Sequence, residues 1–348
     1  MGSTEPAIRL AGCAAAALLL CSGVSQADQG GGSFWFPGQF ASLAAVQQTP
    51  GWALSVIDYH SSVAAAGSAA AAKEILAGKI PANVNVNLNL SLSGRADLVG
   101  LTPSYTFATA VLGGQLVVGM SGQYGRAATS IAGTLTAIAG PIVMTRTGML
   151  EGSLTSYGDL APFAQLLWSH GVDNYMAYVT GNIPVGDYDP MRIPNIGLGH
   201  GAIDVGGAYT YYNQATGNEF SGVAGFTYNF KNPDTQYRNG IDFHFDWGAS
   251  HYLTKQLFVG IAGYAYQQIT DDSGQNPILG GFRSRIFGAG PQIGYSFPIG
   301  DMQGSLSLRG YSEFGAANRP SGWNSWLTFT ISPTAPAAIT PRKHLTVK

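Results

Sequence analysis

Between Asn83 and Ser93 the chain alternates without a slip: Val84, Val86, Leu88, Leu90 and Leu92 take one parity, and Asn85, Asn87, Asn89, Ser91 and Ser93 the other. Successive side chains of a strand point to opposite faces, so this stretch predicts a strand with one apolar face and one uncharged polar face. The sorting recurs downstream. Ile241, Phe243, Phe245 and Trp247 oppose Asp242, His244 and Asp246; Phe220, Phe226, Tyr228 and Phe230 oppose Ser221, Thr227, Asn229 and Lys231. Ile203, Val205, Tyr209 and Tyr211 oppose Asp204 and Thr210, and Leu306, Leu308 and Phe314 oppose Ser305, Ser307, Arg309 and Glu313. A soluble sandwich would turn the apolar rows inward, whereas a membrane barrel turns them to lipid around a polar lumen. Three ionisable groups in a row are costly inside a dry core but are accommodated by a wet lumen. The pattern therefore predicts a barrel with its apolar rows, Val84 to Leu92 included, facing lipid.

From about Trp52 to Ile331 the chain breaks into such stretches separated by turn clusters, with no sustained helical period. The reading is all-β: a transmembrane antiparallel β-barrel of about 14 strands, with 12 as the alternative. Short connections at Ser169–Asp173, Tyr252–Gln256 and Pro298–Gln303 alternate with longer ones at Gly181–His200, Lys231–Asn239 and Thr270–Gly281. Outer-membrane barrels show this asymmetry between periplasmic turns and extracellular loops. The helix candidate is the Ala-rich piece Val63–Leu76, placed between the first two strands. One strand resists the sorting: Arg283 and Arg285 share parity with Ile293, Tyr295 and Phe297. Either these arginines lie above the bilayer, or a bulge at Gly288–Pro291 flips the face; the bulge is the favoured reading.

Composition bears on the choice between barrel and sandwich. Charged residues are 10% of the chain, against roughly 25% in ordinary soluble domains, and 17 Tyr, 16 Phe and 6 Trp suit aromatic girdles. Leu10–Cys21 is small and apolar after Arg9, and Ser25-Gln26-Ala27 carries the small residues of a cleavage site. These features predict an export signal over 1–27. Both cysteines, Cys13 and Cys21, fall inside it, so disulfide and thiolate chemistry are not expected of the mature chain. Beyond the signal no run of 18 apolar residues occurs, so an exported chain that spans a membrane does so as a barrel. A net charge of −2 without a basic block argues against a nucleic-acid partner. The expected organisation is a signal over 1–27, an N-terminal plug-like segment over 28–51, the barrel over 52–331 and a tail over 332–348.

Several phrases appear in order: GGSFWFPGQFASLAAV, Pro50-Gly51-Trp52, Asn174-Tyr175, Pro184-Val185-Gly186-Asp187-Tyr188, Thr216-Gly217-Asn218-Glu219-Phe220, Asp272-Ser273-Gly274, Gly290-Pro291-Gln292 and Glu313-Phe314. Together they resemble the MetA-like family named for the meta-pathway of phenol degradation, over roughly Gly32–Ile331. The resemblance implies a Gram-negative outer-membrane barrel that passively admits hydrophobic or aromatic small molecules. The residues themselves give only a barrel with a polar interior. Two departures from the family pattern are the Ala-rich insertion and the Pro-containing tail after Ile331.

The candidate pathway residues are Phe34, Trp35, Phe36, Pro37 and Phe40, which precede the first strand and could fold into the lumen as a plug or pack at its rim. The arrangement resembles that of fatty-acid transporters. The candidate lumen residues are Asp204, Asp242, His244, Asp246, Arg309 and Glu313. Carboxylate and imidazole are good metal ligands, but same-face neighbours on one strand lie about 7 Å apart and do not converge without help. The expectation is a polar network pairing with Arg309 or Lys231, with no metal and no cofactor. Catalytic motifs are missing, and Ser250 and His251 are adjacent and so point to opposite faces of a strand. Asp271-Asp272-Ser273-Gly274 departs from a calcium loop and reads as a turn. A non-enzymatic barrel in contact with outer-membrane lipid is expected; the alternatives are a structural or adhesive barrel and a lipid-modifying enzyme.

Overall fold

The computed structural model describes residues 33–66, 85–139, 142–274 and 283–334. They form fourteen strands in chain order: β1 (Gly51–Ala66), β2 (Asn85–Val111), β3 (Gly114–Ala139), β4 (Ile142–His170), β5 (Asp173–Asn182), β6 (Ala202–Asn213), β7 (Asn218–Asn229), β8 (Tyr237–Arg238), β9 (Asp242–Tyr252), β10 (Leu257–Gln268), β11 (Ser273–Gly274), β12 (Arg285–Ile299), β13 (Met302–Ala317) and β14 (Ser321–Pro333). Twelve close a barrel in which neighbours in sequence are antiparallel neighbours in space and β1 pairs with β14. The remaining two, β8 and β11, make a two-stranded patch between loops. The barrel count is thus 12, not 14. Both β8 and β11 lie in connections that the sequence already reads as loops, Lys231–Asn239 and Thr270–Gly281, and the closed wall has the alternative count of 12.

The polar rows face inward as alternation requires. Asp204, Thr210, Ser221, Thr227, Asp242, His244 and Asp246 are buried, while Ile203, Val205, Phe226, Tyr228, Leu306, Leu308 and Phe314 are exposed on the outside. Arg285 also faces out, at the very start of β12. Inward and outward positions alternate without a break from Ile286 to Tyr295, so Gly288–Pro291 holds no face-flipping bulge. The irregularity sits on the partner strand instead, where Phe287 pairs with Phe314 and Arg285 with Ala317 around Gly315 at φ 64°.

The described end of the opening stretch, Ser91–Ser93, turns the other way from the sequence expectation. Leu92 lines the interior, whereas Ser91 and Ser93 are exposed outside. The pairing of β2 with β3 runs without a register break from Asn85 to Leu101. The side chains of 85–90 lie outside the described residues. The physical reason is length. Strands β2, β3 and β4 have 27, 26 and 29 residues, far beyond the roughly 9–11 that cross a bilayer. Their far ends stand above the lipid, so an outward Ser row meets water and an apolar row can face in. Val63–Ala66, the start of the expected helix, continues β1; the rest of that piece and the expected signal lie outside the described residues.

Short turns join the strands at one end: Leu112 and Gly113, both at positive φ, close β2 on β3 as a type I′ hairpin requires. The longer connections 183–201, 230–241 and 269–284 gather at the other end, the loop end, where Arg283 and Asp271 also meet at 2.7 Å.

Candidate functional site

Ser33 to Pro50 runs inside the barrel from beside His244 and Asp246 down to the turn end, where Gln47 and Gln48 meet Leu167 and Gln115. Along Gly38–Ala45 its backbone is held by side chains of one wall, and at its end Gln48 binds Gln115 on β3. Ala45 N–H donates to Thr210 Oγ1 at 3.0 Å on β6, and Leu43 N–H to Glu219 Oε1 at 2.8 Å on β7. Gly38 and Phe40 N–H both donate to the Asp246 carboxylate on β9, at 2.9 and 3.2 Å. Arg309 on β13 donates to Gln39 O at 2.7 Å, and Gln292 on β12 to Ser42 Oγ at 2.8 Å. A segment without regular structure leaves backbone donors unpaired, and the inward carboxylates and hydroxyls of β6–β13 take them up.

Of the predicted pathway residues, Trp35 is buried deepest. Its indole stacks on the His244 ring with centroids 3.5 Å apart, and on Phe40 and Tyr178 at 5.8 Å each. Phe36 meets Tyr59 and Trp326 edge-on. Phe34, Phe36, Pro37 and Phe40 lie beside a cavity of about 1040 Å³. Because the segment leans on β6–β13, the inner faces of β1–β4 stay uncovered along Phe34–Phe40, and that gap is the cavity. Ile57, Tyr59, Leu98, Ile131 and Phe163 form its apolar wall. Arg309 and Glu313 reach it from β13, and Pro194–Leu198 closes over it from the loop end.

Of the predicted lumen residues His244 and Asp204 meet directly, while Asp242, Asp246, Arg309 and Glu313 each take other partners than those expected. His244 Nε2 lies 2.9 Å from Asp204 Oδ2, which also accepts from Thr227 Oγ1. Tyr178 Oη is 3.3 Å from the same imidazole nitrogen, and Asn229 Nδ2 donates to Asp242 at 2.9 Å. Lys231 is exposed beyond the end of β7 and does not join them. Arg309 donates a hydrogen bond to Gln39 O and packs over Trp326 at 5.1 Å, with no ion pair to an aspartate among the described residues. Glu313 stands apart, accepting from Tyr264 Oη at 2.7 Å and from Gly322 N–H at 2.8 Å. Among the described residues no three His, Cys, Asp or Glu side chains converge as a metal set.

Glu219, Tyr178 and Asp159 were not singled out from the sequence. Glu219 shares the parity of Ser221 and was legible as an inward group; it also accepts from Ser250 Oγ at 2.7 Å, while His251 faces out to Asn218. Asp159 was not legible, because a bulge aims it. Gly122 pairs with Leu160 and Tyr124 with Tyr157, leaving Gly158 and Asp159 as the extra length on β4. The displaced carboxylate accepts from Asn182 Nδ2, Gly186 N–H and Leu198 N–H at 2.8–2.9 Å and folds the 183–201 loop inward. In that loop the Arg192 guanidinium, 2.6 Å from Asp187, holds the Asp187 carboxyl below the usual range. At Asp272, Gly240 N–H, Gln268 Nε2 and Tyr237 Oη all donate to the carboxylate, so its oxygens are taken by donors.

A closed twelve-stranded barrel, apolar outside and polar within, with a chain segment in its lumen, defines an outer-membrane β-barrel. The chain belongs to the family described as "Putative MetA-pathway of phenol degradation", whose model matches residues 78–329. The fold is similar to that of an outer membrane channel from Pseudomonas putida, at a TM-score of 0.60 and 12% identity over 83% of this chain and 98% of that one. The transport unit of the autotransporter AIDA-I from Escherichia coli matches with a TM-score of 0.39 and 10% identity, over 94% of this chain and 99% of that one. No curated protein matches the sequence.

Proposed function

We propose that the barrel is a passive outer-membrane channel for hydrophobic or aromatic small molecules, with Phe34, Trp35, Phe36, Pro37 and Phe40 as the pathway face of a lumenal plug. The observation that carries this reading is the cavity of about 1040 Å³ between those rings and the apolar inner faces of β1–β4. Ligand pockets of such size, mostly apolar with a few placed polar groups, suit molecules of one or two rings. The family description and the channel from Pseudomonas putida support the same class of function. Passage by diffusion needs only contacts weak enough for release, and no residue in the lumen is asked to make or break a bond.

The test is conductance. Refolded into a planar bilayer, the parent chain is expected to be silent or nearly so. Deletion of Gly32–Gln48 is expected to open a steady conductance, because it removes Trp35 and the backbone that fills the β6–β13 side. A correctly folded deletion as closed as the parent refutes the plug.

A further inference from the structure

The outer face of β1–β4 changes character along its length. Val99, Tyr124 and Tyr157 lie opposite one another on β2, β3 and β4 and are exposed outward. One step nearer the loop end, the same faces carry His60, Asp97, Arg126 and Thr155, and the next row carries Ser62, Arg95, Ala128 and Ser153. In these two rows above the tyrosines the outward face is polar apart from Ala128. Arg126 stands twelve residues along β3 from Gly114, which at about 3.3 Å per residue and a tilt near 40° is roughly 30 Å of height. The apolar band of such barrels is about 25 Å tall. Arg126 and Arg95 thus stand at the depth of lipid headgroups, over an aromatic pair that marks the interface.

Arg126 is directly opposite Asp97, and Arg95 is its diagonal neighbour, about 7–8 Å away by strand geometry. Both are exposed, and among the described residues neither side chain makes an ion pair or hydrogen bond. The carboxylate between them is engaged elsewhere: Asp97 Oδ1 lies 2.5 Å from His60 Nδ1, and the His60 ring packs against Trp323 at 4.8 Å. Glu151, one row further out, accepts from Ser130. The same end carries Arg238 over the outward Tyr228 ring at 5.4 Å and Arg285 over Phe287 at 5.8 Å. At the turn end the described cation is Lys255. Guanidinium groups are the side chains best matched to phosphate oxygens.

We infer that Arg95 and Arg126 form a binding site for the phosphate groups of the phosphorylated glycolipid of the outer leaflet, fixing the barrel's depth and rotation against its own lipid. The inference uses the orientation of the barrel, loop end outward, but not its role as a channel.

The experiment is thermal unfolding of the purified full chain in detergent, titrated with lipid A bearing two phosphates, with the same lipid stripped of phosphate, and with sodium phosphate. The bisphosphorylated lipid is expected to raise the unfolding temperature of the parent and of Lys255→Gln. Its apparent affinity is expected to fall at least tenfold in the Arg95→Gln/Arg126→Gln pair. Arg95→Lys/Arg126→Lys keeps the charge without the bidentate fork and is expected to fall between the two, so a failure of the glutamine pair to fold leaves a second test. Equal affinity in parent and both paired variants overturns the site. Equal stabilisation by the dephosphorylated lipid shows acyl-chain binding only, and equal stabilisation by sodium phosphate shows a free-anion site; either overturns the lipid assignment.

Discussion

At Asp246 one inward carboxylate meets two backbone amides that lie more than 200 residues away in sequence, those of Gly38 and Phe40. Removing it by Asp246→Ala strips both amides of their acceptor in a buried place. Hydrogen bonds to charged groups are worth about 1.5–3 kcal/mol each, so the docking of Gly38–Phe40 is expected to weaken by about 3–6 kcal/mol, read as faster hydrogen exchange at those two amides. Asp246→Asn keeps an acceptor oxygen and is expected to lose less. Gly225 is as exacting in another way. A Cβ there would come within 2.2 Å of Tyr178 Oη and 2.7 Å of His244 Nε2. Gly225→Ala therefore has to displace the pair beneath Trp35, at an overpacking cost of about 1–3 kcal/mol, and is expected to quench the distinct emission of a stacked Trp35. Alternation alone placed Asp246, His244 and Asp204 inside; it could not say that the aspartates would serve a backbone segment and an imidazole instead of Arg309 or Lys231. Which groups face each other across a lumen depends on closure, which no local pattern encodes.

Among elements, the connection from β5 to β6 carries the clearest condition on pH. His200, at its end, is buried, with Nδ1 beside Gly201 O and Nε2 unpartnered. Burial holds its imidazole below the ordinary value, against the smaller opposing effects of the Gly201 carbonyl and Asp159. A base whose folded value is depressed binds its proton more readily when released. The loop's docking is therefore fully stable above an ordinary imidazole value of about 6.5 and weakens as pH falls below it. Hydrogen exchange of the Gly186 and Leu198 amides is expected to accelerate between about pH 6.5 and 5, and His200→Gln is expected to flatten that dependence. Loop and turn lengths were legible because Gly, Pro, Asn and Asp punctuate the chain. The bulge that aims Asp159 was not: Gly158 lies in an otherwise regular strand pattern, and its displacement appears only against the register of β3.

For the whole molecule, the governing fact is which stretch of each strand lies in lipid. Leu308 is exposed on the outer face of β13, midway between its ends, and Leu308→Arg is expected to cost about 2–4 kcal/mol of barrel stability, the range for a midplane cation. Ser93→Arg, on the outer face of β2 beyond Arg95, is expected to cost almost nothing. Chemical unfolding of the two variants in vesicles distinguishes them, and equal losses would refute the placement of the lipid belt. The same depth argument explains why Arg283 and Arg285 need no bulge: they lie past the belt.

The sequence by itself determined the class of fold, because a strand's period of two sorts side chains locally, and rows such as Phe243–Trp247 against Asp242–Asp246, in a chain with only 10% charged residues, favour lipid outside and water within over a soluble sandwich. It also determined that an aromatic cluster precedes the first strand. The tertiary structure decided which wall the N-terminal segment leans on, where the cavity opens and how far β2–β4 rise beyond the bilayer. It reversed the face expected for the Leu92 row for the same reason. Alternation fixes two opposite faces, but only the height of a residue above the membrane decides whether its outward face meets lipid or water.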